Sequence, residues 1–142
     1  MGARETALNA LIACRKDGAW SNSVLKDYIQ RDRLDPRDAG LATRLCYGVL
    51  QNQAKLDFYL KQLLTGKLKD LHPVVRDILH LGLYQIYELD KIPDSAAVNE
   101  SVALTKKYNK NPQGMQEGYG LRENGRNGLQ ALRALHRGNP YS

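Results

Sequence analysis

The sequence of 142 residues is poor in several residue types, and each shortage excludes a class of protein. Its two cysteines, Cys14 and Cys46, are too few and too far apart for a secreted disulfide framework or a zinc site. We therefore expect two buried thiols in a reducing compartment. No apolar run reaches the roughly 18 residues of a membrane span. No leader pattern opens the chain, so we expect a cytoplasmic protein without a membrane partner.

Residues suited to catalysis are equally scarce. The three histidines, His72, His80 and His136, form no pair with metal-ligand spacing. The glycine pair Gly118 and Gly120 neither follows an apolar strand nor opens a helix, so it is a poor nucleotide loop. We therefore expect no catalytic residues, no metal and no cofactor. His80 falls on a polar strip, where we expect it to be hydrogen-bonded or to reach solvent.

Positive charge and helical periodicity are what the sequence has in quantity. The sequence has 21 lysines and arginines and 15 acidic residues, which gives a net charge of +6 and a pI near 9.4. This surplus favours a polyanionic partner. No segment alternates apolar and polar residues as a strand does, so the pattern predicts an all-α fold.

The first half of the sequence predicts three helices and the start of a fourth. Apolar residues recur at helical spacing over 3–16 and again around 24–29. Asp35 and Pro36 are typical of a helix start, and that helix continues to about residue 50. Polar residues then predict a kink or a break at 51–55 before the pattern resumes.

Glycine and proline predict where the remaining helices begin and end. The resumed helix should stop at Thr65-Gly66, with glycine as a left-handed cap. The segment 73–89 is apolar on nearly every side, which places it in the middle of a bundle. A last helix runs from Asp94 to about Tyr108. After residue 111 the composition shifts to glycine and polar residues, so 112–142 is either a flexible basic arm or simply unfolded.

Two basic clusters are the best candidates for a binding site. Arg4 and Arg15 are eleven residues apart, which places them near the same side of the first helix, and Lys16 extends that cluster. Lys106 and Lys107 lie near the end of the last helix. Each could bind phosphate oxygens of RNA, although cations at helix ends are also explained by the helix dipole.

Aromatic residues are a second requirement for recognising single-stranded RNA, which needs an exposed ring or an arginine plane. The sequence does not identify that residue. Most tyrosines share a stripe with leucine, so we expect them in the core rather than on a stacking surface. They are Tyr28, Tyr47, Tyr59, Tyr84, Tyr87 and Tyr108.

Several segments together resemble a known family. They are ARETAL at 3–8, LDPRD at 34–38, LATRLCYGVL at 41–50, RDILHLGLYQ at 76–85 and IPDSAAVNE at 92–100. Their order and spacing resemble the NusB family, in particular the NusB-like domain of RsmB/Sun-type ribosomal RNA cytosine-C5 methyltransferases. The resemblance runs from about residue 3 to residue 110.

The resemblance implies an antiparallel helical bundle that binds RNA. Its arginine-bearing first helix is the usual RNA-facing element, and Arg4 carries over by position. Asn99 and Glu100 also match and are expected to bond within the bundle. The methyltransferase branch implies a partner in small-subunit ribosomal RNA and a separate catalytic domain. The free antitermination factors imply a leader RNA and a ribosomal protein.

The sequence departs from the family in two respects. The family continues with a helix that Gly114 to Tyr119 do not reproduce, and a reading-frame change or truncation near residue 113 would explain this. The methyltransferase catalytic cysteine follows proline or threonine, whereas Cys14 follows alanine and Cys46 follows leucine. We therefore assign neither cysteine that role.

These observations predict an RNA-binding domain at 1–111 that is non-catalytic by itself, followed by a divergent tail at 112–142. The leading hypothesis is a module of ribosomal RNA modification. The alternatives are an antitermination factor and a protein-interaction or homodimerisation bundle.

Overall fold

The computed structural model describes residues 2–64, 66–89 and 91–110, with Asn109 and Lys110 described by their helical backbone alone. These ranges contain six α-helices, one 3-10 turn and no strand, which confirms the all-α prediction. The helices are α1 (Ala3–Asp17), α2 (Asn22–Arg31), α3 (Pro36–Gln51), α4 (Gln53–Leu63), α5 (Pro73–Glu88) and α6 (Asp94–Lys110). Leu68–Asp70 forms the 3-10 turn.

The chain divides into two compact units, and the second begins at Asn52. This residue lies between α3 and α4, so the polar break predicted at 51–55 is confirmed as the end of one helix and the start of another. The predicted tail at 112–142 lies outside the described residues, and the domain limit at residue 111 stays a prediction. No helix among the described residues combines the length and the apolar character needed to cross a membrane.

The first unit is built on α1, which packs against both α2 and α3. One side of α1 is buried along its whole length, and its buried residues are Ala3, Thr6, Ala7, Leu8, Ala10, Leu11, Ile12 and Cys14. Gly18 ends the helix in the left-handed conformation, with φ of 88°, and its N–H donates to the Arg15 carbonyl. Glycine adopts this conformation without the cost that a Cβ imposes, which is why α1 stops there.

The start of α3 follows the predicted signals. The Asp35 Oδ1 atom accepts a hydrogen bond of 2.8 Å from the backbone N–H of Asp38, which satisfies one of the free donors at the helix end. Pro36 occupies the first helical position, where its missing N–H costs nothing.

The second unit is built on α5, which packs against α4 and α6. Its buried residues run almost without interruption from Val74 to Gln85, confirming a central helix. His72 caps its start through Nδ1, which accepts from the Val74 N–H at 3.2 Å. Buried Leu56 and Leu60, one turn apart on α4, face the same interior.

Two sequence predictions are wrong, on the end of α4 and on the burial of most tyrosines. The helix α4 ends at Leu63 with extended Leu64 as its cap, so it does not reach Gly66. Asn99 and Glu100 are exposed on α6, and their expected bonding within the bundle stays a prediction. Among the tyrosines, Tyr84 is buried as predicted, but Tyr87 is 38% exposed. The other four are only half-buried: Tyr28, Tyr47, Tyr59 and Tyr108.

Candidate nucleic-acid interface

Three of the five predicted basic residues lie on α1, in the first unit. Arg4 is half-buried in its first turn, whereas Arg15 and Lys16 are exposed in its last turn. At 1.5 Å per residue, Arg4 and Arg15 are separated by about 16 Å along the axis and by about 20° around it. They therefore lie on one side of α1 but too far apart to hold a single phosphate, so each would bind a different one.

Two further arginines, Arg31 and Arg33, lie at the end of α2 in the same unit. The sequence did not identify them as candidates. Asp32 follows α2, and its side chain is only 4% exposed. One of its oxygens accepts from the Thr6 hydroxyl at 2.7 Å and the other from Arg31 Nε at 3.2 Å. Thr6 is the fourth residue of α1. Because Asp32 binds both Thr6 and Arg31, this buried carboxylate holds Arg31 beside the helix end that carries Arg4.

Arg33 lies in the turn immediately after Asp32, in an unusual backbone conformation. Its φ is 54°, the one positive value at a non-glycine position in the described residues. The Arg33 N–H donates to the Gln30 carbonyl at 3.1 Å, and the Leu34 N–H donates to the Ile29 carbonyl at 3.2 Å. These two bonds define a Schellman motif, whose left-handed position is usually glycine. An exposed arginine stands there instead.

The first unit also carries an aromatic pair, formed by Trp20 between α1 and α2 and by Tyr47 on α3. Trp20 and Tyr47 pack edge to face, with ring centroids 5.9 Å apart. Trp20 Nε1 donates to Asn22 Oδ1 at 2.7 Å, and the Tyr47 hydroxyl donates to the same oxygen. Both rings are half-buried and fixed by this shared acceptor.

The other predicted basic residues, Lys106 and Lys107, belong to the second unit. Both are exposed on α6, which continues to Lys110. Three of the five predicted residues therefore lie on α1 in the first unit, and two lie on α6 in the second.

The second unit contains the two large hydrophobic side chains that are exposed in the described part of the chain, Phe58 on α4 and Tyr87 on α5. Phe58 is 61% exposed. Its signal in the sequence is an apolar residue on the polar side of a helix whose inner side carries Leu56 and Leu60. Phe58 is two residues from each of these leucines, which places it on the other side of the helix, so its exposure agrees with the helical periodicity.

The polar residues that come closest to an acid–base pair are Asp57 and His80. His80 is buried, and its Nε2 lies 2.6 Å from Asp57 Oδ1, while Arg76 donates to Asp57 Oδ2 at 2.5 Å. Burial would raise the pKa of Asp57, but the hydrogen bonds from Arg76 and His80 outweigh it and hold that pKa below its usual value.

Burial acts in the opposite direction on the histidine. It lowers the pKa of His80 below its ordinary value and outweighs the raising effect of Asp57. At neutral pH the ring is therefore neutral, and since ionised Asp57 can only accept, the Nε2 hydrogen donates to it. This confirms the expectation that His80 is hydrogen-bonded, and the bond links α4 to α5.

The two cysteines are buried, free thiols, as predicted. Burial raises the pKa of Cys46 to about 12, so its thiol keeps its proton at neutral pH. Its Sγ donates weakly to the Ala7 carbonyl at 3.6 Å. Within the described ranges, no group of three or more histidine, cysteine or acidic side chains is arranged to hold a metal ion.

Comparison with known proteins agrees with this helical architecture. Residues 1–115 match the NusB family. The chain is 43% identical over 103 residues to the probable ribosomal RNA small subunit methyltransferase B of Bacillus subtilis, covering 72% of this chain and 23% of that protein. It is 36% identical over 110 residues to the corresponding methyltransferase of Pseudomonas putida, covering 78% of this chain and 24% of that protein.

A second group of relatives is matched over most of its length. The chain is 30% identical over 106 residues to the transcription antitermination protein NusB of Thiobacillus denitrificans, covering 75% of this chain and 73% of that protein. In the methyltransferases the match is confined to the N-terminal region, so the chain spans about a quarter of their length and their catalytic region lies outside it. The chain belongs to the NusB family and carries a domain similar to the N-terminal region of these methyltransferases.

Proposed function

We propose that this domain binds RNA through the basic side of α1, as a module that engages small-subunit ribosomal RNA in the cytoplasm for a methyltransferase. The observation that supports it best is the placement of exposed Arg15 and Lys16 on the same helix as Arg4, in a chain with a net charge of +6. Lysine and arginine contacts to phosphate supply most of the affinity in complexes of this kind. The identity to the methyltransferases of Bacillus subtilis and Pseudomonas putida supports the choice of RNA.

The basic surface of the first unit extends beyond the three predicted residues. Arg31 is held beside the start of α1 by Asp32, and exposed Arg33 follows in the same turn. An arginine at a position that favours glycine costs about 1 kcal/mol of backbone strain. Strain of this kind is characteristic of functional positions, so we include Arg33 among the phosphate contacts. We also include Lys106 and Lys107 on α6 among the phosphate contacts.

Charge reversal of Arg4, Arg15 and Lys16 together tests the proposal. The full chain is titrated into a labelled single-stranded oligoribonucleotide, and binding is followed by fluorescence anisotropy. We expect binding to weaken at least about tenfold, since each phosphate contact is electrostatic. The matched control reverses exposed Lys67, Lys69 and Lys91, which changes the net charge equally. Equal weakening in both variants, or none in the first while the protein stays folded, would contradict the proposal.

A transcription antitermination factor is the second candidate function. It is favoured by the match to the Thiobacillus denitrificans protein, which covers 73% of that protein. Such a factor would bind a leader RNA together with a small-subunit ribosomal protein. Adding a purified ribosomal protein to the binding assay separates the two functions. Binding to leader RNA that rises severalfold favours antitermination, whereas unchanged binding favours the ribosomal RNA module.

A further inference from the structure

Three aromatic rings form a continuous group on the surface of the second unit. Tyr59 on α4 lies against Tyr87 on α5, with ring centroids 4.3 Å apart and planes inclined by 32°. Phe58 packs edge to face against the other side of the group, 6.1 Å from the Tyr59 centroid. We name Phe58, Tyr59 and Tyr87 the aromatic group. Its two outer rings are the exposed ones, so apolar faces remain open to solvent at both ends.

Burial of neighbouring side chains holds these rings outward. Leu56 and Leu60 are fully buried on α4, and Phe58 lies two residues from each, on the opposite side of the helix. Tyr59 is half-buried, and its ring packs against Tyr87. It therefore anchors the group. Phe58 gains little from folding in this position, so its role is not to fill the core.

Two lysines lie beside the aromatic group, and one of them is paired with a glutamate. Lys55 lies one turn before Tyr59 and donates to Glu88, the neighbour of Tyr87. Lys61 is exposed one turn after Phe58. Two exposed rings are too small an apolar surface for a stable protein interface, which buries about 800 Å² per partner. Rings flanked by lysines match the chemistry of an unpaired nucleotide, which offers a base to stack and a phosphate to bind.

We propose that the aromatic group is a stacking platform for an unpaired RNA base, with Phe58 as the contacting ring and Lys61 as its phosphate partner. This inference rests on the proposed RNA-binding function and adds that the bound segment is single-stranded. Stacking needs only the π-face that every base has, so the platform selects unpaired bases rather than a sequence.

The test compares an oligouridylate and an oligoadenylate with an abasic ribose-phosphate strand of the same length, all labelled, using the full chain and anisotropy. The wild-type chain should bind the base-bearing strands about fivefold or more tightly than the abasic strand. Phe58→Leu, which keeps apolar bulk but removes the π-face, should abolish that preference. Phe58→Trp should retain or strengthen it, and Tyr87→Leu should weaken it.

A matched control variant and a separate check of the fold accompany this assay. Gln53 is exposed on the opposite side of α4, so Gln53→Ala should bind all strands as the wild type does. The midpoint of thermal unfolding, followed by circular dichroism, should be the same for Phe58→Leu as for the wild type, since this ring is largely outside the core.

The outcomes separate the two proposals. Salt-sensitive binding of all strands with no preference for bases, or a preference that survives Phe58→Leu and Tyr87→Leu, overturns the platform and leaves the proposed function standing. Absence of binding by the wild-type chain to every strand overturns both. Self-association that Phe58→Leu abolishes, with the base preference retained, assigns the rings to a protein contact and overturns the platform.

Discussion

At the scale of single residues, Arg33 combines a backbone cost with an exposed charge. The Schellman motif at the end of α2 needs a left-handed residue, and arginine adopts φ of 54° there although glycine would do so without strain. The hydrogen bonds of Arg33 and Leu34 to the last turn of α2 hold this conformation in place. Stability therefore does not explain the arginine.

Replacing Arg33 separates its backbone role from its charge. Arg33→Gly should raise the free energy of unfolding by about 0.5–1 kcal/mol, because it removes the left-handed strain and loses part of that gain to chain entropy. It should also weaken RNA binding. Urea denaturation measures the first effect and anisotropy the second. Arg33→Ala keeps the strain and loses the charge, so it should weaken binding without stabilising. A stabilised Arg33→Ala variant would contradict this account.

A second residue-scale finding concerns polar groups in the interior. Thr6 is fully buried on the apolar side of α1, and its hydroxyl donates to the nearly buried Asp32 carboxylate. A buried carboxylate without such donors would cost several kcal/mol. The local sequence gives no sign of its partner, which lies 26 residues away.

At the scale of elements, Asp57 is the link between α4 and α5, since it accepts from both Arg76 and His80. The pKa values of Asp57 and His80 are both below their ordinary values in the folded state. Groups of this kind bind more protons when the chain is unfolded, so they favour the folded state at higher pH. Their contribution is complete above the ordinary pKa of each group and is lost as the pH falls.

The stability of the second unit should therefore depend on pH in two stages. Unfolding by urea should become easier as the pH falls below about 6.5, where unfolded His80 binds a proton, and again below about 4 because of Asp57. His80→Gln removes the first stage and should flatten the dependence between pH 7 and pH 5. The midpoint of urea unfolding at each pH measures it. A wild-type chain that gains stability between pH 7 and pH 5 would show that the assigned direction is wrong.

At the scale of the whole molecule, the surplus of positive charge determines how RNA binding responds to salt. Each phosphate contact by a lysine or arginine releases counterions, so the logarithm of the affinity falls linearly with the logarithm of the salt concentration. For a single strand the slope is about 0.7 per contact. The salt slope therefore counts the cations that contact RNA.

Neutralising the α1 cluster should reduce this slope by a known amount. Replacing Arg4, Arg15 and Lys16 by glutamine should lower its magnitude by about 2, which is three contacts at 0.7 each. Anisotropy titrations at several salt concentrations measure it. Phe58→Leu serves as the comparison, because losing a stacked base should weaken binding with little change of slope. An unchanged slope in the triple variant would remove α1 from the RNA contact.

The helices of this protein were predictable because their signals are local. Asp35 with Pro36 predicted the start of α3, and the all-round apolar pattern after Pro73 predicted a central helix. Gly66 misled the prediction because a glycine beyond the last turn need not be its cap. The tyrosines misled it because an aromatic residue on an apolar stripe can still lie at the edge of the interior.

The sequence by itself determined the helices, the positive charge and the family, because periodicity, capping residues and short motifs act over a few neighbouring positions. Only the tertiary structure decided which distant side chains meet: Thr6 with Asp32, Asp57 with His80, and Tyr59 with Tyr87. These pairs depend on how one helix lies against another. That arrangement is fixed by the packing of whole helix faces, and no short stretch of sequence contains it.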